Sequence, residues 1–143
     1  MQDFIHMFNF LGDIGPNILF VFTLLLISSK INICIIFVIG YILNFMINRI
    51  LKRFIHDKRP NSKKNNMPSG HSQCIFYSII FFTCYFYSNI LQYTIWKIIL
   101  GIYLLIALNT INNSIQYNYH TIDQVIIGSI IGSMIGYFTY LSF

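Results

Sequence analysis

Long stretches without a charged side chain constrain this sequence more than any other feature. Only 9% of its 143 residues are charged, whereas soluble domains average about 25%. Five stretches contain no Asp, Glu, Lys or Arg: 14–29, 31–48, 65–96, 98–122 and 124–143. A helix needs roughly 20 residues to cross about 30 Å of hydrocarbon, so the last four can span a membrane and the first is short. This pattern excludes a soluble globule, a disordered tail and a nucleic-acid-binding domain.

The same pattern predicts an all-α fold, a polytopic transmembrane bundle of about five helices in a single domain, 1–143. Strands are not expected across the membrane, because an open sheet cannot satisfy its backbone in lipid. Residues 1–13, with Phe4, Ile5 and Phe8 on one helical face, are interpreted as an interfacial segment. They lack the pattern of a cleavable signal peptide, so none is expected. The predicted helices lie near 14–29, 31–55, 71–92, 95–116 and 121–142.

Two further patterns concern packing. Gly128, Gly132 and Gly136 recur every fourth residue and form a small-residue ridge, which favours close helix packing within the fold over a dimer face. The three cysteines lie in apolar runs and are interpreted as small buried residues rather than as a disulfide or a zinc site.

A basic cluster is the first chemical signal. Seven of the nine Lys and Arg residues lie between 49 and 64, in and before the polar loop 56–69. Such a cluster is also typical of a positive-inside flank or an anionic-lipid anchor. Lys52 and Arg59 are two helical turns apart and share a face if the helix continues that far. Two cations on one face would suit a phosphate.

Two predicted helix starts carry the other signals. Pro68-Ser69-Gly70-His71 opens the third helix, where free N–H groups and the helix dipole favour an anion, although Ser69 could simply cap the helix. His120 opens the fifth helix. Since helix three leaves the side where helix two ends and helix four returns to it, His71, His120 and the basic cluster should meet at one membrane surface.

Two histidines beside a phosphate cradle suggest a reaction class. One neutral imidazole attacks phosphorus, and the other gives a proton to the leaving oxygen and later takes one from water. Nearby cations stabilise the charge on the phosphoryl oxygens. No carboxylate or cysteine cluster offers a metal site, so we expect chemistry without metal or other cofactor.

The motifs together resemble the type 2 phosphatidic acid phosphatase superfamily. The matching pieces are Lys52-x6-Arg59-Pro60, then Pro68-Ser69-Gly70-His71, then His120 at a later helix start. A closer likeness is to the dolichyldiphosphatases, on the stretches 67–73 (MPSGHSQ) and 119–125 (YHTIDQV).

This resemblance implies a role for each matched residue. His120 would be the nucleophile and His71 the general acid. Phosphate would be bound and its transition state stabilised by Lys52, Arg59, Ser69 and the Gly70 N–H. Gln124 stands where most of the superfamily has an Asp that orients the nucleophile; its carbonyl can accept from the ring N–H, and the adjacent Asp123 is an alternative.

One position departs from the family pattern. The superfamily carries an Arg six residues before the nucleophile, where this chain has Ser114. Losing such a cation could cost on the order of 10²–10³ in rate, by analogy with a lost transition-state donor. Lys63 or Lys64 could replace it from the loop, and an impaired or inactive enzyme remains an alternative.

The expected function is metal-independent hydrolysis of dolichyl diphosphate to dolichyl phosphate and phosphate through a phosphohistidine, in support of dolichol recycling for N-glycosylation. The alternatives are a phosphatase for phosphatidate or another polyprenyl diphosphate, and a non-enzymatic relative. The expected partners are the lipid substrate and the membrane, without nucleic acid. The positive-inside rule places the 49–64 segment in the cytosol, whereas the resemblance implies a site that faces the lumen of the endoplasmic reticulum.

Overall fold

Five helices make up nearly all of the described chain. The computed structural model describes the backbone of 2–55, 58–59, 62–65, 67–88 and 93–142, and the side chains of 12–55, 67–88 and 95–142. The helices are α1 (Gln2–Ile27), α2 (Ile31–Phe54), α3 (Gly70–Ser88), α4 (Tyr93–Gln116) and α5 (Ile122–Leu141). The predicted all-α bundle of about five helices is confirmed.

Several helices have the length and apolar composition of membrane spans. These are α2, the part of α4 from Ile95 to Gln116, and α5, while Gly12–Ile27 of α1 is a shorter apolar helix. Their outward side chains are apolar; Leu105 is 68% exposed and Ile31 is also 68% exposed. An outer surface of this kind requires lipid rather than water, and the chain is a multi-pass membrane protein.

Helix α3 forms the centre of the bundle, and the other four helices pack around it. Ten of its residues are buried. Two apolar clusters surround it: one includes Leu19, Phe82 and Tyr103, and the other includes Phe37 and Phe81. In the first cluster Thr23 donates to the Leu19 carbonyl and shares a hydrogen bond of 2.9 Å with the Tyr103 hydroxyl, so this buried polar pair is satisfied.

The glycine ridge of α5 sets its closest contact, which is with α3. A Cβ at Gly128 would lie 2.5 Å from the Ser69 carbonyl oxygen, and one at Gly136 would lie 2.6 Å from that of Tyr77. A Cβ at Gly132 would overlap the Gln73 carbonyl in the same way. The prediction that this ridge packs within the fold is confirmed. The three cysteines are unpaired, and Cys74 is buried.

The structure differs from the sequence prediction at two helix ends. Helix α1 begins at Gln2 and runs through Pro16, so residues 2–13 continue the helix instead of preceding it. Gly12 and Gly15, on either side of the predicted helix start at residue 14, lie against Asn113 and Thr110 of α4. The interfacial position of 1–13 stays a prediction.

The second difference corrects the Lys52–Arg59 hypothesis. Helix α2 ends at Phe54, and Ile55 has extended backbone with φ −93° and ψ 107°. Arg59 lies instead in β1 (Lys58–Arg59), which pairs antiparallel with β2 (Ser62–Asn65). The two cations therefore do not share a helix face, because the chain turns into a hairpin within the predicted polar loop.

Candidate active site

A cavity of about 360 Å³ lies between α1, α2 and the first turns of α3, beside the start of α5. It receives side chains from α1, α2 and α3, and from the residue that precedes the α5 N-cap. Its lining consists of Asp13, Pro16, Asn17, Tyr41, Phe45, Asn48, Lys52, Gly70, His71, Cys74 and His120. Three segments that are distant in sequence, and that carry the predicted chemistry, therefore share one cavity.

His71 and His120 face each other across this cavity. Their ring centroids are 6.5 Å apart, with an angle of 60° between the ring planes. His71 is in the first turn of α3 and is exposed, whereas His120 is only 4% exposed. At this separation both rings can contact a single phosphoryl group.

His120 is held by the end of α4 and the start of α5. Asn118 has φ 53°, which reverses the chain after α4. The backbone N–H groups of Tyr119 and His120 then donate to the Ser114 carbonyl, at 2.9 and 3.1 Å. The turn therefore fixes the backbone position of His120.

Gln124 orients the imidazole itself. Its Oε1 lies 3.2 Å from His120 Nδ1 and accepts the Thr121 N–H at 3.2 Å, while Thr121 Oγ1 accepts the Gln124 N–H in a reciprocal capping box. Because the atom that accepts from Thr121 is an oxygen, the His120 proton in this contact belongs on Nδ1. Nε2 is then the ring atom with a lone pair for chemistry. Asp123, the alternative orienting residue, is exposed.

Ser69 directly precedes α3 and caps its first turn. It is fully buried, and its Oγ accepts from the Ser72 N–H at 3.4 Å and the Ser72 hydroxyl at 3.1 Å. Its own N–H donates to the Gln124 carbonyl at 3.0 Å, which ties the start of α3 to the start of α5. Among the described side chains that line the cavity, Gly70 and His71 are present and Ser69 is not.

Lys52 is the one Lys or Arg among the described residues of the cavity lining. Its Nζ lies 3.7 Å from the point where a Cβ on Gly70 would stand, so the ammonium is beside the first turn of α3. The side chains of Arg59, Lys63 and Lys64 lie outside the described residues. Their predicted phosphate contacts stay predictions.

Ser114, at the position where the resemblance predicts an arginine, belongs to the end of α4. It is 6% exposed, and its hydroxyl donates to the Thr110 carbonyl at 2.9 Å. Within the described part of the chain, no three His, Cys, Asp or Glu side chains are grouped so that they could hold a metal ion.

Sequence reasoning missed much of the cavity wall. The face of α2 that carries Lys52 also carries, towards the start of the helix, Asn48, Phe45 and Tyr41. Their helical spacing from Lys52 could have identified them. Asp13 and Asn17 of α1 had no such signal, because the neighbour of α1 is chosen by tertiary packing.

Known proteins with similar sequences include three dolichyldiphosphatases. The dolichyldiphosphatase of Saccharomyces cerevisiae is 26% identical, over 94% of this chain and 62% of that protein. Dolichyldiphosphatase 1 of Dictyostelium discoideum is 30% identical, over 84% of this chain and 56% of that protein. Dolichyldiphosphatase 1 of Rhinolophus ferrumequinum is 28% identical, over 90% of this chain and 60% of that protein. This chain thus spans about six tenths of the length of these relatives.

The family assignment rests on a broader match. No solved structure matches the chain. The family model of the PAP2 superfamily matches residues 33–143, which include all but the first two residues of α2, the whole of α3 to α5 and every predicted site residue. The resemblance predicted from the three motifs is confirmed, and the chain belongs to the PAP2 superfamily.

Proposed function

We propose that this protein is a lipid phosphate phosphatase that hydrolyses dolichyl diphosphate to dolichyl phosphate and inorganic phosphate. The observation that carries the proposal is the pair of imidazoles 6.5 Å apart in a cavity that also contains Lys52. The similarity to dolichyldiphosphatases supports this substrate.

The reaction begins at His120. Its Nε2 lone pair attacks the terminal phosphorus, forming a P–N bond as the bond from phosphorus to the bridging oxygen breaks. His71 donates its proton to that oxygen, and dolichyl phosphate leaves. Water then attacks the phosphohistidine and gives a proton to His71, the P–N bond breaks, and phosphate and neutral His120 are released.

Charge on the transferred phosphoryl group is stabilised from two directions. Lys52 supplies a cation beside Gly70, and the first turn of α3 offers backbone N–H groups and the positive end of the helix dipole. Arg59 and Ser69 are proposed to add a second cation and a hydroxyl. Gln124 keeps the proton on Nδ1 of the nucleophile, as its contact of 3.2 Å supports.

The shape of the cavity supports a lipid rather than a soluble phosphate. Lys52 and Tyr41 both line it and are eleven residues apart on α2, which is about 16 Å of helix. The end near Lys52 is polar, and the rings of Tyr41, Phe45 and Pro16 lie towards the other end, in a lining that also includes the polar side chains of Asp13 and Asn17. A diphosphate at the first end would leave the isoprenoid chain beside the second.

The test is phosphate release by the purified protein in mixed micelles. We expect faster turnover of dolichyl diphosphate than of phosphatidate, and no turnover above background in His120→Ala. Equal or faster turnover of phosphatidate would contradict the substrate assignment. It would favour a phosphatase for another lipid phosphate.

A non-enzymatic relative is the second candidate, and Ser114 is the observation that favours it. The position of the family arginine holds a neutral side chain that bonds to its own helix. If wild type and His120→Ala release phosphate at the same background rate from every lipid, this candidate replaces the first.

We also propose that the site faces the lumen of the endoplasmic reticulum membrane, where the product would be recycled for N-glycosylation. Lys63→Thr creates an Asn-X-Thr acceptor at Asn61 in the polar loop. A gain in mass that glycosidase removes is expected on expression in microsomes, with Lys63→Ala as the matched control. An unmodified Lys63→Thr chain alongside a glycosylated lumenal reporter would favour the cytosolic orientation.

A further inference from the structure

Three buried amide side chains join α2 to the start of α3 next to the cavity. Asn44, Asn48 and Gln73, here called the amide relay, are at most 5% exposed. Asn48 Nδ2 donates to the Pro68 carbonyl at 3.2 Å and to Gln73 Oε1 at 2.7 Å. Gln73 Nε2 donates to the Asn44 carbonyl at 2.8 Å and to Asn44 Oδ1 at 3.0 Å.

The direction of the amide relay is fixed by its two ends. The backbone carbonyls of Asn44 and Pro68 can only accept, so the side-chain atoms that contact them are nitrogens. The NH₂ groups of Asn48 and Gln73 then each donate both of their hydrogens in these contacts. Asn48 Oδ1 is left facing the cavity side, 3.4 Å from the point where a Cβ on Gly70 would stand.

This geometry links the relay to the phosphate site. Pro68 directly precedes Ser69 and Gly70, so its carbonyl fixes the chain that presents the first N–H groups of α3. Asn48 lies one turn before Lys52 on α2, and both side chains reach within 4 Å of the same point beside Gly70. A helix contact made of apolar side chains would not need three buried amides, whereas a fully satisfied polar network fixes one arrangement.

We propose that Asn48, oriented by Gln73, is a positioning residue of the phosphate site. It holds the Pro68–Gly70 segment at a set distance from Lys52, so that the cation and the N–H groups reach one phosphoryl group together. The catalytic consequence rests on the proposed function; the effect on binding of a phosphate analogue does not. Orthovanadate, which mimics a phosphoryl group during transfer, is therefore the probe.

The experiment measures vanadate affinity, from the shift in unfolding temperature, together with kcat and KM for dolichyl diphosphate. We expect Asn48→Leu and Gln73→Leu each to lower kcat by about 10²-fold, as for a small misplacement of binding groups. Vanadate affinity should fall by a similar factor while KM changes little. The double variant should have a kcat and a vanadate affinity no lower than those of the less active single variant, because both substitutions break the same relay.

Two further variants keep the test decisive. Gln73→Met keeps the side-chain length but loses the acceptor for Asn48 and both donors to Asn44, and it provides the readout where Asn48→Leu does not fold. Thr23→Val removes a buried hydrogen bond to Tyr103 outside the cavity and should lower the unfolding temperature without changing vanadate affinity. The inference is overturned by near-wild-type kcat and vanadate affinity in folded Gln73→Met, or by an equal loss of affinity in Thr23→Val.

The proposed function can fail separately. If the wild type binds vanadate but hydrolyses no lipid phosphate, the hydrolase assignment is wrong and the vanadate series alone decides the role of Asn48. If the wild type does not bind vanadate, the phosphate site itself is wrong and the inference falls with it.

Discussion

At the residue scale, the amide of Gln124 contacts the His120 imidazole, at the position where the resemblance to the superfamily predicts a carboxylate. Gln124 is fully buried and accepts from both His120 and Thr121 through a single oxygen. It therefore fixes the ring tautomer and caps α5 at once. A neutral acceptor stabilises an imidazolium less than a carboxylate does, so in the proposed mechanism Gln124 acts through orientation more than through charge.

Gln124→Leu should lower kcat by about 10²-fold, less than the 10⁴-fold seen when a triad histidine is left in the wrong tautomer. The leucine gives neither His120 nor Thr121 an acceptor. Gln124→Glu keeps an acceptor oxygen in place and should retain most of the activity. Steady-state kinetics on both purified variants checks this, and equal losses in the two would show that the oxygen has no orienting role.

The chemistry of the proposed site also makes a prediction about metals. Two imidazoles, an ammonium group and backbone N–H groups complete the proton and charge transfers without a Lewis acid. After EDTA treatment, the rate of phosphate release from dolichyl diphosphate should therefore stay within about twofold of the rate of the untreated protein. A loss that added Mg²⁺ or Zn²⁺ restores would contradict the mechanism.

At the scale of elements, the contact between α3 and α5 determines the distance between the two histidines. His71 is in the first turn of α3, and His120 directly precedes the α5 N-cap, so any sliding or separation of these helices moves the rings. Three glycines let the α5 backbone lie against Ser69, Gln73 and Tyr77. The same ridge thus supports both the fold and the site.

Gly132→Ala should destabilise the protein and reduce its activity. Its Cβ would overlap the Gln73 carbonyl, and since a backbone atom cannot rotate away, the helices must separate, at about 1–3 kcal/mol. Gly101→Ala is the matched control, because a Cβ there meets nothing within 4 Å in the middle of α4. Unfolding in mixed micelles and turnover are the readouts; similar effects from both variants would refute this account of the ridge.

At the scale of the whole molecule, the sequence predicted what the membrane imposes and missed what packing imposes. Charge-free stretches located the helices because lipid penalises charge along a whole span, and helix parity brought His71, His120 and Lys52 to one surface. The end of α2 before Arg59 and the contribution of Asp13 and Asn17 were not predictable in this way. They depend on a hairpin and on the contact of Gly12 with Asn113, neither of which leaves a periodic signal.

Under the proposed function the membrane takes part in substrate binding, and this determines how the rate should depend on concentration. Lys52 and Tyr41, about 16 Å apart along the α2 axis, both line the cavity, so the proposed lipid would keep its tail beside apolar helix surface. With the substrate held in micelles by about 0.8 kcal/mol per CH₂ group, encounter occurs within the micelle. At a fixed ratio of lipid to detergent, dilution of the mixture should leave turnover per protein unchanged. Extra detergent at a constant bulk concentration of substrate should lower turnover per protein.

A soluble short-chain isoprenyl diphosphate is the control. Its turnover should depend only on its bulk concentration, so it should fall on dilution and should not change when detergent is added. If dolichyl diphosphate behaves like this control, substrate reaches the site from water and the end of the cavity near Tyr41 has no part in binding.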